Sequence, residues 1–113
     1  MDTLKTVVKK ETLVKIIKSM TEINGFTVRE GFGIDWLPWI DDEDINFTFH
    51  KHFDYKEYEE TGKKFTYITV SVSVRRMGGN PTVEDLRKTA TRINYAATFM
   101  DVFNGSHYAV EEE

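Results

Sequence analysis

The sequence contains no cysteine, which excludes disulfide staples and thiolate metal centres and suits a reducing compartment such as the cytoplasm. It also lacks a long apolar run. The N-terminal stretch, MDTLKTVVKKETLVKIIKSM, is broken by Lys5, Lys9, Lys10, Lys15 and Lys18 and reads as neither a signal peptide nor a membrane span. Of its two prolines, Pro38 falls in a loop and Pro81 in a turn. There is no internal repeat, low-complexity tract or linker, so residues 1–113 read as a single domain with one core. A 40% hydrophobic and 30% charged composition is that of a folded chain rather than a disordered one.

Periodicity divides the chain into five elements. Leu4, Val7, Val8, Leu13, Val14, Ile16, Ile17 and Met20 give an apolar face at helical spacing over Thr3–Ile23, closed by Asn24-Gly25. A first strand is expected from Phe26 to about Trp36, with Phe26, Val28, Phe32, Ile34 and Trp36 on its buried side and its glycines marking a bulge or twist. A long hairpin formed by the second and third strands follows, from Ile45 to Met77. Gly78-Gly79-Asn80-Pro81 is then a turn, and Thr82 opens a second helix. Thr82 and Asp85 have capping-box spacing, while Val83, Leu86, Ala90, Ile93, Ala97 and Met100 follow at steps of three and four, and Asn104-Gly105 ends the helix.

With Thr61-Gly62 as a two-residue turn, the hairpin's partners are Glu60 with Lys63, Glu59 with Lys64, Tyr58 with Phe65, Phe53 with Val70 and Phe49 with Val74. Ile45, Phe47, Phe49 and Phe53 share one face with Ile68, Val70, Val72 and Val74. His50, His52, Ser71 and Ser73 share the other, because strand side chains alternate. One wet and one dry face imply an antiparallel sheet covered on one side. Arms of sixteen residues, Ile45–Glu60, would reach roughly 50 Å against about 30 Å for a twenty-residue helix, so the hairpin is expected either to coil strongly or to project its tip beyond the helices.

The predicted fold is therefore α+β in the order α-β-β-β-α, a three-stranded antiparallel meander with both helices on one face. This order resembles the double-stranded-RNA-binding domain. The first turn of the second helix, however, carries Glu84 and Asp85 in place of a lysine cluster, and nothing of that family's function is carried over.

No motif specifies catalysis. His50, His52 and Asp54 share a strand face, but their expected neighbours Thr69, Ser71 and Ser73 are poor metal ligands. His52 beside Ser71 lacks the oxyanion donors a hydrolase needs. Gly31-Phe32-Gly33 and Gly78-Gly79-Asn80 lack the spacing of phosphate loops, although the amides opening the second helix, with Arg75 and Arg76 beside them, could attract an anion. Asp42, Asp44 and Asn46 start like a calcium loop that Phe47 and Phe53 then break. Neither an enzyme nor a bound cofactor or metal is expected.

Charge is polarised: residues 35–60 hold nine acids against two bases, whereas residues 61–92 hold seven bases against two acids. The favoured reading is a non-enzymatic protein-binding or inhibitory module, of the compact accessory kind that phages and mobile elements encode. It would act on a protein partner or by self-association as a homodimer, through the hairpin tip (Tyr55, Tyr58, Phe65, Tyr67) and the loop of Trp39, Asp41, Asp42, Glu43 and Asp44. The alternative is a nucleic-acid-binding domain using the polar sheet face with Arg29, Lys51, His50, His52, Arg75 and Arg76, which the net charge of −4 disfavours.

Overall fold

Chain segments far apart in sequence build one sheet. The computed structural model describes residues 4–75 and 79–112. Thr3, where the first helix is expected to begin, and Arg76, Met77 and Gly78, at the expected end of the hairpin, lie outside the described residues. The elements are β1 (Thr6–Val7), α1 (Lys10–Glu22), β2 (Thr27–Arg29), β3 (Trp39–Asp41), β4 (Ile45–Phe53), α2 (Tyr55–Thr61), β5 (Lys64–Val74), α3 (Val83–Gly105) and β6 (Tyr108–Glu112). The protein is thus mixed α+β, but the three-stranded meander is not what forms. Among the described residues there is a four-stranded sheet, ordered β1-β6-β5-β4, and a two-stranded sheet of β2 and β3.

Three local causes account for the difference. First, the N-terminal residues expected to be helical pair in parallel with β6, Thr6 opposite Tyr108 and Val7 opposite Ala109. β-branched Thr6, Val7 and Val8 suit an extended strand better than a helix. Second, the expected first strand is cut to Thr27–Arg29, and the chain turns through Gly31 and Asp35, both at positive φ (80° and 61°). Trp39–Asp41 then returns as an antiparallel partner, Val28 facing Ile40. Third, the two-residue turn at Thr61-Gly62 is replaced by α2. The Asp54 side chain accepts the Glu57 amide at 3.1 Å and Gly62 closes the helix in the left-handed region at φ 72°. Lys and Glu between these two stops are good helix formers.

The longer connection slides the hairpin by four residues. Phe49 faces Val70, Lys51 faces Ile68 and Phe53 faces Thr66, in place of Phe49 with Val74 and Phe53 with Val70. The glutamate–lysine pairs expected at the tip are consequently absent from the ladder. An even slide preserves faces, so Phe49, Ile68 and Val70 are buried and His50, His52, Ser71 and Ser73 stay exposed.

Both long helices cover the same face. Leu13 and Ile17 of α1 meet Phe99 and Phe103 of α3 over Phe49, Ile68, Val70 and Val110. The buried side of α3 is Thr89, Ala96, Phe99 and Phe103, not the expected row of Val83, Leu86, Ala90 and Ala97. Two phenylalanines remove more apolar surface from water than the alternative row of alanines, and they set the helix's rotation. Adjacent alanines discriminate between the two orientations. Ala96→Gln is expected to cost about 3 kcal/mol or more by overpacking, whereas Ala97→Gln stays within about 0.5 kcal/mol in dilute solution, as read by chemical denaturation. Equal costs would contradict this rotation of the helix.

Candidate functional site

The loop between β2 and β3 is held from below and bare above. Leu37 and Ile40 are buried in the core beside Phe26, and the Leu37 amide donates to the Ile34 carbonyl at 3.1 Å. Gly33 is required there, since a Cβ would collide with the Leu37 carbonyl and lie 2.8 Å from the Pro38 backbone. Asp35 pairs with Lys51 of β4, and that cation holds its carboxyl below the usual carboxylate range. These anchors leave Phe32, Ile34 and Trp39 exposed at 70%, 66% and 47%. Strand parity places Phe32 and Ile34 inside, so sequence reasoning missed them. The usable signal was Gly31 and Gly33 on either side of Phe32, a spacing that ends a strand rather than continuing it.

Beside this loop runs the free edge of β4, the last strand of the sheet. Among the described residues no backbone hydrogen bond from β2 or β3 reaches it. A cleft of about 250 Å³ lies between the loop and the edge, with Ile34, Pro38 and Trp39 on one wall and Asn46, Phe47 and Thr48 on the other. Residues from both faces of β4 line it, so the cleft opens on the strand's edge rather than on one face of the sheet.

The acidic stretch is mostly neutralised within the molecule. Asp42 is buried and its Oδ1 accepts the amides of Asp44 (2.8 Å) and Ile45 (3.1 Å). Its other oxygen pairs with Arg92 of α3, which also reaches Asp44 at 3.1 Å. Asp41 pairs with Arg29 across β2 and β3 at 2.9 Å. Glu43 is exposed. The stretch therefore fastens α3 to the β3–β4 connection.

The residues expected at the hairpin tip separate into two sets. Tyr55 and Tyr58 are exposed and pack against Phe53, the first edge-to-face and the second tilted, with ring centroids 4.4 and 5.9 Å away. Phe65 is buried under the Lys5 ammonium, 4.1 Å from its ring centroid. The Tyr67 hydroxyl donates to Glu57 at 2.7 Å. Burial, then the Glu57 carboxylate, pushes the Tyr67 phenol up to about 12.

On the polar face, His50 Nε2 meets Ser71 Oγ and His52 Nε2 meets Thr69 Oγ1, both at 2.8 Å. Asp54 is turned to capping α2. Among the described residues no three His, Cys, Asp or Glu side chains gather as a metal site. No helix there is long and apolar enough to cross a membrane. No family model matches the sequence, and no curated protein or solved structure matches the chain.

Two measurements check these contacts. Arg92→Met strands the buried Asp42 carboxylate and is expected to lower stability by about 1–3 kcal/mol, with part recovered when Asp42→Asn is added, as a double-mutant cycle would read. Full additivity would show that the pair carries no coupling. Tyr67 bears on alkaline stability. Its folded-state value lies above the ordinary 10, so its contribution is complete below pH 10 and is lost as pH rises toward about 12. In alkaline denaturation Tyr67→Phe should flatten the fall across that window; an unchanged slope would place the titration elsewhere.

Proposed function

We propose that this protein is a non-enzymatic protein-binding module that receives an extended, apolar segment of a partner along the free edge of β4, with Trp39, Ile34 and Phe32 as anchors. The single observation that carries this is a coincidence of place: the exposed aromatic loop stands over an unpaired strand edge. Strand edges accept added strands through main-chain hydrogen bonds, and apolar pockets beside them supply selectivity. The nearest charges, Asp35 with Lys51 and Arg29 with Asp41, are already paired, so the cleft selects by shape and apolar contact rather than charge. Tyr55 and Tyr58 extend the exposed aromatic surface at the far end of β4. An inhibitory accessory protein of a phage or mobile element would use such a surface to occupy a site on a larger protein.

A displayed library of random peptides is a suitable probe. Selected peptides should alternate apolar residues, shift the backbone amides of residues 46–52 in NMR titration, and bind Trp39→Ala about 2 kcal/mol more weakly, roughly a thirtyfold loss. Trp39 is half exposed, so the variant should stay folded by circular dichroism. Peptides that leave those amides unmoved and bind the variant equally would refute the cleft. Salt-dependent retention on heparin, mapping to His50, His52 and Arg75, would instead support nucleic-acid binding by the polar face.

A further inference from the structure

The apolar row of α3 that the core does not use is a heptad seam. Val83, Leu86, Ala90, Ile93, Ala97 and Met100 follow one another at alternating steps of three and four, the spacing that keeps one helix against another. The helix buries a different side, Thr89, Ala96, Phe99 and Phe103. Val83 and Leu86 consequently stand 65% and 49% exposed, and Ala90 and Ala97 are exposed as well. Ile93 and Met100 are only partly covered at the margin of the core. Every residue from 83 to 88 is exposed, so the first turns of α3 stand clear of the body.

The flank of this seam is self-complementary in charge. Arg87 and Asp101 are each seven residues from Asn94 and lie on the same side of the seam as it. Both are exposed, and neither makes an ion pair among the described residues, although Glu84, Lys88 and Arg92 on the same helix do. We infer that a second copy of this chain docks on α3, antiparallel, about a two-fold axis near Asn94. That axis sets Arg87 level with the partner's Asp101 and brings Ala90 within one residue's rise of the partner's Ala97, twice over by symmetry. A parallel pair would put like residues level and bring no opposite charge to Arg87. The alanines at the middle allow close approach of the two axes, while Leu86 and Val83 bury their exposed surface at either end. The surface is separate from the β4 cleft, so a dimer offers two copies of it.

Analytical ultracentrifugation over a wide dilution series tests the inference. Self-association toward twice the 13.2 kDa chain mass is expected. Arg87→Glu sets like charges level at two symmetric points and should weaken association about tenfold, and adding Asp101→Arg should restore it with the signs exchanged. Both positions are exposed, so melting curves should confirm unchanged folding. Trp39→Ala should leave the dimer intact, which separates this surface from the partner cleft. A monomer at every concentration would overturn the inference. So would a dimer that ignores the charge exchange or dissociates only on Trp39→Ala.

Discussion

The strand β6 is hydrogen-bonded along both edges, and the rest of the molecule takes its positions from it. It pairs in parallel with β1 and antiparallel with β5, so residues from both ends of the chain close the same ladder. Thr6 and Val8 donate to the carbonyls of His107 and Ala109 at 3.0 and 2.9 Å, and Ala109 and Val110 are buried. The connection from α3 to β6 is short because His107 adopts φ 51°, a left-handed turn. The C-terminal half of α3 is therefore pressed onto the sheet. Phe103 stacks with Tyr108 at 5.0 Å between centroids, and the Asn104 side chain bonds both the amide and the carbonyl of Val70 at 2.9 Å. With that end fixed, the opposite end of a 23-residue helix must extend beyond the sheet, held midway by the burial of Thr89 and by Arg92 on Asp42 and Asp44.

The face of the sheet away from the long helices is not uniformly open. At the β6 end, Glu57 of α2 binds Tyr67 and Lys5 together, the latter at 3.4 Å, and Lys5 lies over Phe65. The remaining part is polar and largely satisfied by its own members: His50 with Ser71, His52 with Thr69, and Arg75 with Asn46 at 2.8 Å. Side chains already paired offer a newcomer little that water does not. The exposed apolar groups of the loop and of α3 are different, since covering them releases the cost of hydrating them.

How much of this was legible depended on whether the signal was local. Alternation in Ile45–Phe53 and Ile68–Val74 revealed the two central strands and their faces, because period-two parity survives any even slide of register. Thr82 and Asp85 announced the cap of α3, which forms with both bonds at 3.1 Å. Asp54, Glu57 and Gly62 carried a similar start and stop for α2, but the glycine also fits a tight turn and the flanking residues alternate well enough to pass for strand. Tyr108–Glu112 is five residues with no turn signature of its own, and its identity as a strand rests on β1 and β5, more than forty residues away. Of the candidate binding residues, Trp39, Tyr55 and Tyr58 are at the surface as expected. Asp42 and Phe65 are not, because acidic or aromatic character alone does not reveal that Arg92 or Lys5 will fold over it.

What distinguishes the exposed apolar groups is that they stand on anchored elements. Phe32 and Ile34 on the loop, and Trp39 where β3 begins, adjoin the core residues Leu37 and Ile40, and Gly33 there permits no alternative side chain. Val83 and Leu86 stand on a capped helix. Binding through such groups forfeits little conformational entropy, and so more of the apolar area covered becomes affinity than at a mobile tip. The charges divide the same way: those of the acidic stretch are mostly consumed in fixing α3 and the β2–β3 pair, whereas Arg87 and Asp101, on the exposed side of the helix, make no ion pair among the described residues. Buried apolar area supplies attraction without direction. Fixed, unpaired charges at its border select orientation, and the seam on α3 combines the two.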